Sequence, residues 1–366
     1  MTDCDLTELH PLIEQSRLRL RAGIARIERP PFQPEAVERM LADTFPAEPV
    51  ESLEPRVDAS VELLERLAAD WAEIKGTFFP AGHPGTLTSV DGGRAVRILG
   101  FPCGARLVYK PRPLAADAHF QELLAWINAG SGLPPFRTVR VMDRGSYGWM
   151  EHVAAAPCAG EAEAALYHRR LGGLLALLYA VEATGCHSES LIAAGSQPVV
   201  VNLGSLFHPC KGRSVLHIGL LPAGASAEET AAGFRDVYRL LIRRREELLA
   251  PGGPIARFSG DPVRLWIGTG GQPAIACPSS VDVWTSRGER IAGFFSEPSF
   301  LAVQRRIAGL DEADLERQAA LIRRSPGAAP RDEKSPVPEA GLRERLIAGF
   351  RSLGNRLASL AVRCVG

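Results

Sequence analysis

The chain has 366 residues, enough for about two domains with a sizeable core. An apolar content of 46% and a charged content of 23% are ordinary for a globular protein, and 42 basic residues balance 42 acidic ones, so no global field marks a nucleic-acid or polyanion partner. No apolar run reaches ~18 residues, the start Met1 to Asp5 is acidic without an apolar stretch, and the seven cysteines form no C-x-x-C pair. A membrane span, a signal peptide and a zinc site are therefore not expected, and reduced thiols in a cytoplasmic protein are.

Apolar spacing predicts amphipathic helices over 6–28, 34–44 and 57–77, with a connector over 45–56 marked by Pro46, Pro49 and Pro55. Strands are predicted over 95–101 and 106–110 about the turn Pro102 to Ala105, which places Lys110 near a strand end. A helix over 115–128 and a second hairpin, 139–142 with 147–150, follow. Beyond it come a long helix over 161–182, a strand over 213–221, a charged helix over 227–249 and a strand over 263–267. Helices over 297–308 and 311–324, the latter N-capped by Asp311, precede a linker over 325–338 and a basic amphipathic helix over 339–364. That tail could lie on a membrane surface, dock a partner or pack on its own domain.

The run from Ala164 to Phe207 organises the rest. An apolar helix breaks at Ala183 to Ser190, a short apolar segment Leu191 to Ala194 and a turn Gly195 to Pro198 follow, and then comes Val199 to Leu203. Helix, polar loop, apolar segment, turn and buried strand is the order in which kinase-like folds present a catalytic loop and a metal-binding strand. The fold class expected is α+β and bilobal kinase-like, related to lipid kinases. Its parts would be an N-terminal helical cap (1–80), a small β-rich lobe (81–160), a larger helical lobe (161–327), a linker (328–338) and a C-terminal helix (339–366).

Leu107-Val108-Tyr109-Lys110-Pro111-Arg112-Pro113-Leu114 resembles a segment of the dehydratase domain of LanM-type (class II) lanthipeptide synthetases. Leu64 to Asp70, Gly92 to Val96, Tyr147-Gly148-Trp149-Met150-Glu151, Tyr167 to Tyr179, Gly195 to Val201, Leu206-Phe207 and Leu310 to Arg323 agree in order over about 58–327. The resemblance implies ATP-dependent phosphorylation of Ser or Thr in a precursor peptide, followed by phosphate elimination. It implies Lys110 and Arg112 as phosphate ligands, and Mg²⁺ held by carboxylate and amide groups.

The chemistry that the resemblance implies is depleted. Against the family's D-x-H-x-E-N loop the chain reads Gly185-Cys186-His187-Ser188-Glu189-Ser190, which keeps His187 and Glu189 as an acid/base pair. Against D-x-E-T it reads Asn202-Leu203-Gly204-Ser205, so the metal positions fall to the neutral Ser190 and Asn202. Mg²⁺ is a hard cation that prefers anionic oxygen. On the elimination side Arg264 survives, Gly268 and Gly270 replace an Arg and a Thr, and Thr88 and Val90 stand nearest to an Asp and a His. Each residue also has a plainer reading. Lys110 could pair with Asp117 or Glu122, Arg112 could cover the following helix, His187 and Glu189 could satisfy loop backbone, and Arg264 could sit in a buried ion pair. Cys186 has no visible orienting group for a thiolate. Two functions remain open: a catalytically degenerate binding partner with no cofactor, holding a precursor peptide or a modification-pathway protein, or a divergent enzyme using ATP and Mg²⁺. The family's cyclase has no counterpart in the chain, so neither includes ring closure.

Overall fold

The computed structural model describes residues 3–45, 50–80, 82–93, 96–130, 133–184, 186, 190–204, 206–208, 214–221, 226–267, 272–285 and 287–325. The expected tail helix over 339–364 lies outside them. The chain is α+β and divides into two compact units, 1–114 with 139–152 and 115–138 with 153–366.

The first unit packs helices α1 (Asp3–Ile24), α2 (Pro34–Ala42) and α3 (Val50–Phe78) with a five-stranded sheet. Its strands β1 (Ser89–Asp91), β2 (Arg97–Gly100), β3 (Arg106–Lys110), β4 (Val141–Asp143) and β5 (Gly148–Glu151) run antiparallel in the order β1-β2-β3-β5-β4. Helix α3 starts seven residues before the predicted position 57 and runs through Pro55, which the sequence assigned to a connector. A proline inside a helix costs about 3 kcal/mol. The flanking Leu53 and Val57 are buried to 2% and 0% exposure, and burying two such side chains contributes roughly 1.5–3 kcal/mol each, enough to offset it.

The second unit contains α4 (Ala115–Gly130), α5 (Glu161–Ala180), the hairpin β6 (Leu191–Ala194) and β7 (Gln197–Val200), α6 (Ala227–Arg243) and α7 (Arg245–Leu249). A four-stranded antiparallel sheet follows, β8 (Val263–Ile267), β9 (Gln272–Ala276), β10 (Val283–Thr285) and β11 (Arg290–Ile291), then α8 (Ser299–Ala308) and α9 (Glu312–Arg324). Asp311 caps α9 as predicted, its Oδ1 accepting from Asp314 N at 2.7 Å.

Two predictions fail here. The strand expected over 213–221 is a single 3₁₀ turn, Val215–Ile218. Ser214 accepts a hydrogen bond from Leu216 N, Val215 N donates to Gln318 Oε1 at 3.0 Å, and Gly219 stops the turn at φ 83°. With its donors satisfied locally and by α9, the segment has no ladder to join. The helix expected over 227–249 breaks at Arg244, whose guanidinium lies 3.9 Å from the Trp126 ring centre and bonds Glu247.

The tightest packing in this unit joins α5 to α6. A Cβ on Gly172 would lie 1.9 Å from Thr230 O, and one on Gly233 would lie 1.7 Å from Arg169 O. These glycines let the two backbones touch. The Leu171-Gly172-Gly173-Leu174 part of the resemblance is therefore a helix-packing motif.

Candidate functional site

In the first unit, α3 presents a ladder of polar side chains to the sheet. Asp70, 8% exposed, accepts from Tyr147 Oη at 2.9 Å and Trp149 Nε1 at 2.7 Å, and pairs with Arg144 Nε at 3.0 Å. One turn earlier Arg66 donates to Tyr109 Oη and lies 4.1 Å from the Tyr147 ring centre. Burial and the neighbouring Asp70 carboxylate push the Tyr147 hydroxyl up to about 12. The Tyr-Gly-Trp and Leu64–Asp70 motifs are thus two halves of one clamp, 77 residues apart in the chain. Gly148 serves it too, since a Cβ there would lie 2.6 Å from Met142 O.

Lys110 ends β3, the central strand of this sheet, opposite Gly148. It is 5% exposed, with Nζ 3.5 Å from Met150 Sδ. Arg112 is 9% exposed and donates to Pro113 O at 2.8 Å. Glu122 pairs with Arg257 at 2.9 Å. The elimination-side positions serve the fold: Thr88 donates from N and Oγ1 to Gly100 O, and Val90 packs on the core from β1.

In the second unit, α5 enters the predicted loop through a pinned backbone. Phe207 N donates to Val181 O at 3.0 Å and His208 N to Glu182 O at 3.1 Å. Glu182 and Phe207 hold φ of 51° and 55°, left-handed values that cost energy for residues with a side chain and that a surrounding structure must enforce. His187 and Glu189, with Gly185 and Ser188, lie outside the described residues. Cys186 is buried, and burial pushes its thiol up to about 11, so it is no thiolate at neutral pH.

Ser190 is 4% exposed, and its carbonyl accepts from Val201 N at 2.8 Å. Strand β7 ends at Val200, so Asn202 stands just beyond it, exposed. Gly204 brings Asn202 and Arg264 together. Its carbonyl accepts from Arg264 N at 2.8 Å, and among the described residues a Cβ built on it would meet only Arg264 Cβ and Asn202 Oδ1, each at 3.8 Å. Among those residues nothing stands in the way of a Cβ at Gly204. The oxygens offered by Ser190, Asn202 and Gly204 are all neutral, a donor set that does not fit Mg²⁺. Among the described residues no three His, Cys, Asp or Glu side chains converge as a metal site.

Two polar arrangements escaped the sequence. Tyr179 Oη donates to Asp314 Oδ2 at 2.8 Å and accepts from Arg306 at 2.9 Å, while Tyr238 Oη donates to the same carboxylate at 2.7 Å. Arg306 also pairs with Glu182 at 3.0 Å. Burial pushes the Glu182 carboxyl up and the two tyrosine hydroxyls well above their usual range. Burial also works against the Asp314 carboxylate, but its bonds from Tyr238, Gln318 and Tyr179 leave it below the usual range. Separately, His119 Nδ1 lies 2.7 Å from Asp261 Oδ2. Partners 76 to 142 residues apart leave no local signal.

Residues 50–231 match a family model described as a domain of unknown function, DUF4135. The chain is also 30% identical over 112 residues to the lacticin 481/lactococcin biosynthesis protein LcnDR2 of Lactococcus lactis subsp. lactis. That match covers 28% of this chain and 12% of the relative, well under two thirds of its length. Over residues 50–231 the chain therefore matches the DUF4135 family, which is associated with lanthipeptide synthetases, and in that part it is similar to LanM-like, dehydratase-type proteins.

Proposed function

We propose that this protein is a catalytically degenerate, dehydratase-like binding protein of lanthipeptide modification, which holds a precursor peptide without transferring phosphoryl groups. One observation carries the reading: around Gly204 the chain places a neutral amide, an open Cβ position and an arginine where phosphoryl transfer needs anionic oxygen for a divalent ion. The kinase-like description of the fold belongs to the same proposal. A buried lysine ending a central strand, and a helix, loop and hairpin in the other unit, are parts that such folds use. His187 and Glu189 stay in the proposal as residual polar groups of the loop, and Lys110, Arg112 and Arg264 as residual cations.

Thermal unfolding of the full chain with ATP and Mg²⁺ tests it. A ligand that binds only the folded form raises stability by RT ln(1 + [L]/Kd), so magnesium-dependent stabilisation at millimolar ATP would overturn the reading. The expected result is no shift. The retained Lys110, His187 and Glu189 favour a second reading, a divergent ATP-dependent Ser/Thr dehydratase or kinase, which that stabilisation would support. The combined variant Gly185→Asp, Ser190→Asn and Asn202→Asp then asks whether ligand loss alone silences the site. Nucleotide binding gained by it means that it does.

A further inference from the structure

The four-stranded sheet of the second unit has two unlike faces. Directly paired residues of antiparallel strands share a face. The row Val263, Ala276, Val283 and Ile291 forms one face and, with Phe294 and Phe295, builds a small separate core. The alternate row is Arg264, Ile275, Trp284 and Arg290, paired in that order across β8, β9, β10 and β11. Ile275 is 41% exposed, one of few large apolar side chains left so open among the described residues. Trp284 beside it is half-buried, and its indole N–H makes no hydrogen bond among the described residues. Arg290 is 62% exposed while held from one side by the buried Asp282, its Nε 2.8 Å from Oδ2. Arg264, at the other end, adjoins Gly204 and Asn202. The row thus runs from the depleted metal position to Arg290.

We infer that the Arg264–Ile275–Trp284–Arg290 row is a peptide-docking strip, which takes a short segment bearing an apolar side chain and a carboxylate. The inference rests on the peptide-binding reading above and names the surface and the peptide chemistry. Tryptophan and arginine are the side chains that most often anchor interfaces, because each pairs large contact area with a directed polar group. An exposed isoleucine between strand neighbours gains only by being covered. The exposed Arg290 guanidinium, which Asp282 holds from one side, selects a carboxylate. Four strands about 4.8 Å apart make the strip roughly 14 Å long, which matches about four residues of extended peptide. Two arginines around an apolar pair form no track for a polyanion, and a peptide is favoured over a nucleic acid.

Fluorescence anisotropy on the full chain tests this with three labelled probes: a peptide of alternating glutamate and leucine, the same peptide with lysine for glutamate, and oligothymidylate. The acidic peptide binds, the lysine peptide does not, and Ile275→Asp weakens binding by about 10-fold or more with an unchanged melting temperature. Trp284→Ala has the same effect, and the outward Ile275→Asp keeps the test decisive if that variant fails to fold. If the acidic peptide binds wild type and both variants equally, the strip is refuted while peptide binding elsewhere survives. Failure of both peptides to bind wild type overturns the strip and counts against the peptide-binding reading. Preference for the lysine peptide or for oligothymidylate overturns the strip alone.

Discussion

The clamp around Asp70 and the ground around Gly204 carry parts of the same family resemblance, and they differ in how their residues are held. At Asp70 every motif residue is paired: a buried carboxylate takes an indole, a phenol and a guanidinium. At Gly204 the motif positions hold an exposed amide and an open Cβ direction. Losing one partner of a buried polar cluster leaves the others unsatisfied and destabilises the fold. A neutral residue beside an exposed asparagine leaves nothing stranded. A change at the clamp and a change at Gly204 should therefore differ sharply in what they do to the fold.

The sharpest way to break this comparison is Asp70→Ala. It strands Tyr147, Trp149 and Arg144 and should cost about 3–5 kcal/mol in urea unfolding. A loss under about 1 kcal/mol would mean that the clamp is decorative. Next comes one substitution made in two places. Gly172→Ala forces a Cβ to within 1.9 Å of Thr230 O, so α5 and α6 must separate, at about 2–3 kcal/mol. Gly204→Ala meets nothing nearer than 3.8 Å among the described residues and should stay within about 0.5 kcal/mol of wild type. Equal melting temperatures for the two variants would refute the contrast.

Between these lies Tyr147→Phe, expected to cost about 1 kcal/mol for one hydrogen bond. It also carries a pH signature. The Tyr147 hydroxyl titrates at about 12 in the folded protein against 10.0 for the free side chain. The folded state therefore favours the neutral form. Its contribution is fully present below about pH 10 and is lost as pH rises through about 12. Denaturation curves across that range should fall more steeply for wild type than for Tyr147→Phe, and parallel curves would count against the bond to Asp70.

Much of the fold was legible because helices and hairpins are written locally. The spacing of Leu171, Leu174, Leu175 and Leu178, the turn at Gly195 and the cap at Asp311 each act within a few residues. Pro55 and the segment about Val215 misled for the converse reason, since distant packing overrode local preference. Of the candidate site, the residue types were legible but not their company. Nothing near Arg264 says that Gly204 lies against it, and nothing near Ile275 says that Trp284 is its neighbour.

The sequence by itself determined which side chains exist: a lysine at a strand end, and no carboxylate at positions 185, 190, 202 or 204. No arrangement of the chain can restore a charge that its residues lack. Only the tertiary structure decided that Asp70 holds Tyr147 and Trp149, and that four residues from four strands form one exposed row. Such groupings arise from strand register and helix docking, which depend on contacts between residues far apart in the chain.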